Sequence, residues 1–109
     1  ATLGIYIVLK GRYTAICTPD GKTFFNTNGN SGLATAGSGD VLTGILTSLL
    51  AQGYAPLHAC LLGVWLHGEA GDLAAKELSE ESLTASDVIQ YLPKAFLELK
   101  AYNKSVRIY

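Results

Sequence analysis

Hydrophobic residues fall into two kinds of spacing along this chain, and each predicts its own element. Residues 4–9 read GIYIVL, a run of β-branched and aromatic side chains with no polar alternation. Such a run predicts a strand buried on both faces of a parallel sheet, with Lys10 and Gly11 closing it. Residues 13–17 and 22–26 are two more β-prone runs, joined by Thr18, Pro19, Asp20 and Gly21. Proline sets φ and glycine accepts positive φ, so these four residues read as a turn and the two runs as a β-hairpin. Directly after a lysine at a strand end, the hairpin is either a flap at the ligand-binding edge of the sheet or a plain surface hairpin.

The spacing changes to that of a helix at residue 41. Val41, Leu42, Ile45, Leu46, Leu49 and Leu50 recur on one face, and Gln52 with Gly53 is a plausible stop. Pro56 opens a second helix at a favoured first-turn position. Residues 57–78 are apolar nearly all round, with small residues at Ala59, Gly63, Ala70 and Ala74 close to helical spacing. A helix of this kind is buried and lies close to a neighbour. Gly68 and Gly71, each about 1 kcal/mol worse than alanine in a helix, are where its continuity is weakest. After a polar connector at 79–83, Thr84 and Asp87 form a capping pair that opens a third helix with Val88, Ile89 and Leu92 on one side. Pro93 is expected to kink or restart it. Ala95, Phe96 and Leu99 extend the apolar face, and residues 106–109 read as a frayed tail or a last short strand. No repeat or linker divides the chain. The expectation is an α/β segment, a strand and a hairpin followed by three helices. A doubly buried first strand needs neighbours that nothing upstream supplies, so the chain reads as the C-terminal piece of a longer domain.

Composition narrows the function more than the fold. With 109 residues and 49% hydrophobic content the chain has material for one core. A net charge of −1, with eight Lys plus Arg and no basic run, argues against nucleic acid and against an anionic membrane surface, and favours a small-molecule partner. No apolar segment reaches the roughly 18 residues of a membrane span, and no signal-peptide pattern opens the chain. Cys17 and Cys60 lack companions at metal-ligand spacing and read as packing residues in a reduced, cytoplasmic compartment. Half of the 12 glycines fall between residues 21 and 44, which marks a single glycine-rich loop.

That loop carries the candidate chemistry. Residues 30–50 read NSGLATAGSGDVLTGILTSLL, a glycine-rich turn running into a helix. Unpaired N–H groups and the positive end of the helix dipole converge there, which suits a phosphate or a developing oxyanion. The amides of Gly37, Ser38 and Gly39 are candidates to hold a transferred phosphoryl group, and Asp40 to take a proton from an attacking hydroxyl. Glycine would keep a Cβ out of the ligand's path. An ordinary helix start, with Ser38 or Asp40 merely capping, fits the pattern as well. The P-loop and dinucleotide-binding fingerprints are both absent.

The wider motifs resemble a known family. The run GNSGLATAGSGDVLTGILTSLLAQG, preceded by LKGRYTAI and followed by HACLLGVWLHGEAGDLAA and LTASDVIQYLP, is similar to the C-terminal part of the ADP- or ATP-dependent NAD(P)H-hydrate dehydratases. The G-S-G-D element alone is shared across the ribokinase-like superfamily. Its combination with G-N-x-G-x-A-T, H-G-x-A-G-D and the A-S-D helix start points to the dehydratase branch. Ser31 and Leu33 depart from the proline and methionine common there. The resemblance implies a ribokinase-like fold and a nucleotide-dependent lyase that phosphorylates the ring hydroxyl of hydrated NADH or NADPH and then loses phosphate. It implies nucleotide contacts from Lys10, Gly11, Arg12, Tyr13, Thr14 and Gly39, an anion hole at Ala36, Gly37, Ser38 and Gly39, and Asp40 as the base that meets the substrate. ADP or ATP is the implied co-substrate, with Mg²⁺ to neutralise phosphate charge; assembly into a homo-oligomer is left open. His58 and His67 read as packing residues, Asp72 as a match to the H-G-x-A-G-D helix, and Asn28 and Asn30 as loop residues that could reach the ligand but more often bond their own backbone. A small-molecule kinase of the same superfamily and a non-catalytic nucleotide-binding or assembly module are the rival functions.

Overall fold

A computed structural model describes residues 4–106, with side chains as far as residue 101. Its elements are strands β1 (Ile7–Leu9), β2 (Ala15–Cys17) and β3 (Thr23–Phe25), a 3₁₀ turn (Ser31–Ala34), and helices α1 (Ser38–Ala51), α2 (Pro56–Leu78) and α3 (Ala85–Val106). The strands form an antiparallel sheet in the order β1-β2-β3. The hairpin forms as its turn chemistry predicts: Gly21 takes φ 87° and its N–H donates to Thr18 O at 3.0 Å.

The first strand corrects an expectation. Residues 4–9 read as doubly buried in a parallel sheet, but Ile7–Leu9 pairs antiparallel with β2, and Ile7 and Leu9 are exposed. The register explains which face is used. Val8, Ile16 and Phe24 stand opposite one another across the three strands. With Leu42, Cys60, Val64 and Leu46 they make a small core between the sheet and helices α1 and α2. Ile7, Leu9 and Phe25 alternate to the other face. An apolar run without alternation thus has one face covered among the described residues.

The main core lies among the helices: Leu33, Ile45, Leu49, Leu66, Leu83, Val88 and Leu99 pack with Ala59, Ala70, Ala74 and Ala95. The small-residue seam on α2 is real. A Cβ on Gly63 would lie 2.6 Å from Leu46 Cδ2, and one on Gly71 2.7 Å from Leu33 Cδ2. Helix α2 runs unbroken through Gly68 and Gly71, and those are positions where other elements come closest. Helix α3 opens on the expected capping box. Thr84 N–H donates to Asp87 Oδ2 at 2.9 Å, and Asp87 N–H to Thr84 Oγ1 at 3.2 Å. It does not restart at Pro93, since buried Val88, Ala95 and Leu99 hold one stripe against the core on both sides of the proline. Val106 closes this helix and begins no strand; residues 107–109 lie outside the described residues.

Candidate active site

The glycine-rich loop is clamped onto α2 before it turns into α1. Asn28 Nδ2 donates to Trp65 O at 3.0 Å. Asp72 uses both carboxylate oxygens, accepting from Gly29 N–H and from Asn30 Nδ2, each at 2.9 Å. Asn30 Oδ1 accepts from Gly32 N–H at 2.9 Å and so caps the 3₁₀ turn. Ser31 is tied outward to Glu80 Oε1 through its N–H and, at 2.6 Å, its hydroxyl. The G-N-x-G and H-G-x-A-G-D motifs are therefore two halves of one contact. Asp72, which matched a motif without a visible reason, is the residue that fastens the loop.

At the start of α1 the backbone takes the left-handed conformation at Gly37, φ 84°, and no side chain caps the helix. Ser38 Oγ turns instead to His67, and neither Ser38 nor Asp40 bonds a first-turn N–H through its side chain. Ser38 N–H donates to Thr35 O at a long 3.3 Å, while the N–H groups of Gly39 and Asp40 find no acceptor among the described residues. Ala36, Gly37, Gly39 and Asp40 are exposed, and Ser38 is fully buried. Gly39 needs no left-handed φ, and a Cβ built on it meets nothing within 4 Å. The fold itself does not require glycine there.

Lys10 arrives from the end of β1, and its Nζ donates to Leu33 O at 2.5 Å, in the 3₁₀ turn that leads to the glycines. Of residues 10–14 it is the one tied directly to the loop. Arg12 stacks over the Tyr13 ring at 4.8 Å, both exposed, and Thr14 O accepts from Asn26 N–H at 2.9 Å. Beneath the turn, His67 Nε2 lies 3.1 Å from both Ser38 Oγ and Ser38 O. Burial, and then the positive charge of Lys10, push the imidazole pKa down to about 4, so the ring is neutral at pH 7. A groove of about 520 Å³ starts beside Asp40 and runs between α1 and α3 over Val41, Ile45, Leu92 and Phe96. It joins residues far apart in sequence, and no spacing pattern announces it.

The arrangement can hold an anion against exposed amides, offer a carboxylate one residue further on, and bring a lysine ammonium to the adjoining 3₁₀ turn. Among the described residues no three His, Cys, Asp or Glu side chains are grouped to bind a metal. Among the described residues no helix is long and apolar enough to cross a membrane.

Comparison with known proteins decides the family. The model of the NAD(P)H-hydrate dehydratase family, a carbohydrate-kinase-like group, matches residues 1–94. The chain belongs to this family. It is 47% identical over 104 residues to the bifunctional NAD(P)H-hydrate repair enzyme Nnr of Thermofilum pendens, covering 95% of this chain and 20% of that protein. It is 53% identical over 73 residues to the ADP-dependent (S)-NAD(P)H-hydrate dehydratase of Neisseria meningitidis, covering 67% of this chain and 25% of that one. The structure of the Bacillus subtilis ADP/ATP-dependent NAD(P)H-hydrate dehydratase co-crystallised with ATP/Mg²⁺ superposes with a TM-score of 0.84 at 40% identity, over 90% of this chain and 35% of that one. The chain thus spans between a fifth and about a third of these relatives. The ribokinase-like α/β expectation holds, in the form of a strand, a hairpin and three helices.

Proposed function

We propose that this family member takes part in the ADP- or ATP-dependent dehydration of hydrated NADH or NADPH, and that this chain contributes its phosphoryl-handling residues. The observation that carries the reading is one turn with an exposed Asp40 carboxylate beside the acceptor-free Gly39 amide, and with Lys10 fixed to the adjacent 3₁₀ turn. Lys10 neutralises charge on the nucleotide phosphates. The amides of the 36–39 turn hold the terminal phosphoryl group, and Asp40 accepts the proton of the ring hydroxyl as its oxygen attacks phosphorus. The bond to the nucleotide's bridging oxygen breaks, releasing AMP from ADP or ADP from ATP. The phosphorylated ring then expels phosphate and gives up a proton from the neighbouring ring carbon to solvent, which restores the ring double bond of the reduced nicotinamide. Mg²⁺, when it accompanies the nucleotide, supplies charge neutralisation on the phosphates; no residue of this chain is assigned to it.

The test is recovery of reduced nicotinamide absorbance from hydrated NADH with ADP or ATP, in the full-length protein. Asp40→Asn is expected to lower turnover at least about 10²-fold, the usual contribution of a positioned base. Unchanged turnover in that variant overturns the assignment of the base. A phosphorylated product that accumulates with no recovery of NADH assigns the protein instead to small-molecule kinases of the same superfamily.

A further inference from the structure

We propose that His67 is a positioning residue that aims the Gly39 amide of the anion-holding turn by gripping the other end of the same peptide unit. The inference deepens the phosphoryl-transfer reading and rests on it. Ser38 O is a carbonyl oxygen and can only accept, so the Nε2 atom 3.1 Å away from it carries the ring proton. The same nitrogen is 3.1 Å from Ser38 Oγ, inside a pocket that leaves His67 4% exposed and Ser38 0%. His67 is thus the neutral Nε2–H tautomer, with Nδ1 bare.

The planar peptide bond turns this contact into an orientation. Ser38 C=O and Gly39 N–H belong to one rigid trans unit and point in opposite directions. Ser38 O also accepts within the first turn of α1, and the buried imidazole is its second donor, so the Gly39 N–H is held pointing away from both; that N–H has no acceptor among the described residues. The usual device for fixing a helix start is a Ser, Thr, Asp or Asn side chain at the N-cap. Here the N-cap is Gly37, which supplies the left-handed φ and no side chain. His67, 29 residues further along the chain, instead holds the first turn from α2 through Ser38 O and Ser38 Oγ, and leaves the turn's N–H groups free.

The proposal is tested in the full-length protein with ADP and hydrated NADH. His67→Leu removes the second donor to Ser38 O, which the first turn of α1 also engages, and kcat is expected to fall about threefold to tenfold, the range for one lost hydrogen bond, with KM for hydrated NADH unchanged. His67→Gln, whose amide nitrogen reaches the position of Nε2, is expected to restore most of the rate. Equal rates in the Leu and Gln variants overturn the proposal. Should the Leu variant not fold, Asn takes its place, since its shorter amide cannot reach Ser38; equal rates in Asn and Gln variants then overturn it. The ¹⁵N resonances of the wild-type imidazole give an answer that needs no turnover: a protonated Nε2 is expected at pH 7, and a protonated Nδ1 alone overturns the proposal. Wild-type protein that shows the Nε2–H tautomer but recovers no NADH fails the functional reading and leaves the grip on the turn standing.

Discussion

Gly44→Ala in α1 and Gly68→Ala in α2 add the same methyl group to two helices and are expected to move stability in opposite directions. In a helix, alanine is better than glycine by about 1 kcal/mol. At Gly44 the added Cβ meets nothing within 4 Å, so most of that gain survives, and a stabilisation of about 0.5–1 kcal/mol is expected. At Gly68 the Cβ would stand 1.9 Å from Asn28 Oδ1, 2.7 Å from Asn28 Cγ and 3.2 Å from Asn26 Nδ2. Asn28 cannot swing aside freely, because its Nδ2 is bonded to Trp65 O at 3.0 Å and its Oδ1 accepts from Asn26. Overpacking costs about 1–3 kcal/mol, and each hydrogen bond lost costs about 0.5–1.5 kcal/mol more. After the helical gain is subtracted, Gly68→Ala should be destabilised by about 1–3 kcal/mol. Urea unfolding of the two variants beside the wild type, followed by far-ultraviolet circular dichroism, measures both. A Gly68→Ala protein as stable as the wild type would refute the close approach of the 26–28 loop to α2.

Gly39→Ala should not destabilise the fold, because its Cβ faces open space, and in the first turn the helical gain should be smaller than at Gly44; it should nonetheless weaken ADP binding measured by calorimetry, and unchanged affinity removes the ligand from that position. Acid should weaken the fold through His67, whose folded pKa of about 4 lies below the 6.5 it has when free. Its contribution is complete above pH 6.5 and is lost as the pH falls toward 4, to a total of about 3 kcal/mol, so His67→Gln should show a shallower loss of stability over that interval. Thr84→Ala removes one half of the α3 capping box and should cost about 1 kcal/mol in the same unfolding assay, whereas an unchanged midpoint would mean that the box is not holding the helix start.

The elements built from local chemistry were legible in the chain. The Thr18, Pro19, Asp20 and Gly21 turn, proline at the start of α2 and the Thr84 and Asp87 pair each act within a few residues, and each is found where the pattern put it. Where tertiary contact decides, the pattern misled. Gly68 and Gly71 looked like weak points in a helix and are instead the closest contacts with Asn28 and Leu33. Pro93 looked like a break, but the core stripe from Val88 to Leu99 holds the helix through it. The position of Asp40 in the first turn of α1 followed from its spacing after the glycines. The support beneath that turn did not, since it joins Ser38 to His67 across 29 residues and Asn30 to Asp72 across 42. No helical or strand period spans such separations.

Lys10 shows how the loop is readied for its proposed ligand. A lysine free in solvent loses about 1.5–2 kcal/mol of rotamer freedom when a ligand fixes it. Lys10 is already fixed by Leu33 O at 2.5 Å, so that loss falls on folding and not on binding. One of its three ammonium hydrogens is engaged, and two remain for phosphate oxygens. Each 1.4 kcal/mol spared in this way strengthens nucleotide binding about tenfold. A substitution that shifts the Leu33 carbonyl, without ever touching the nucleotide, should therefore weaken binding and register in calorimetry as a less favourable entropy.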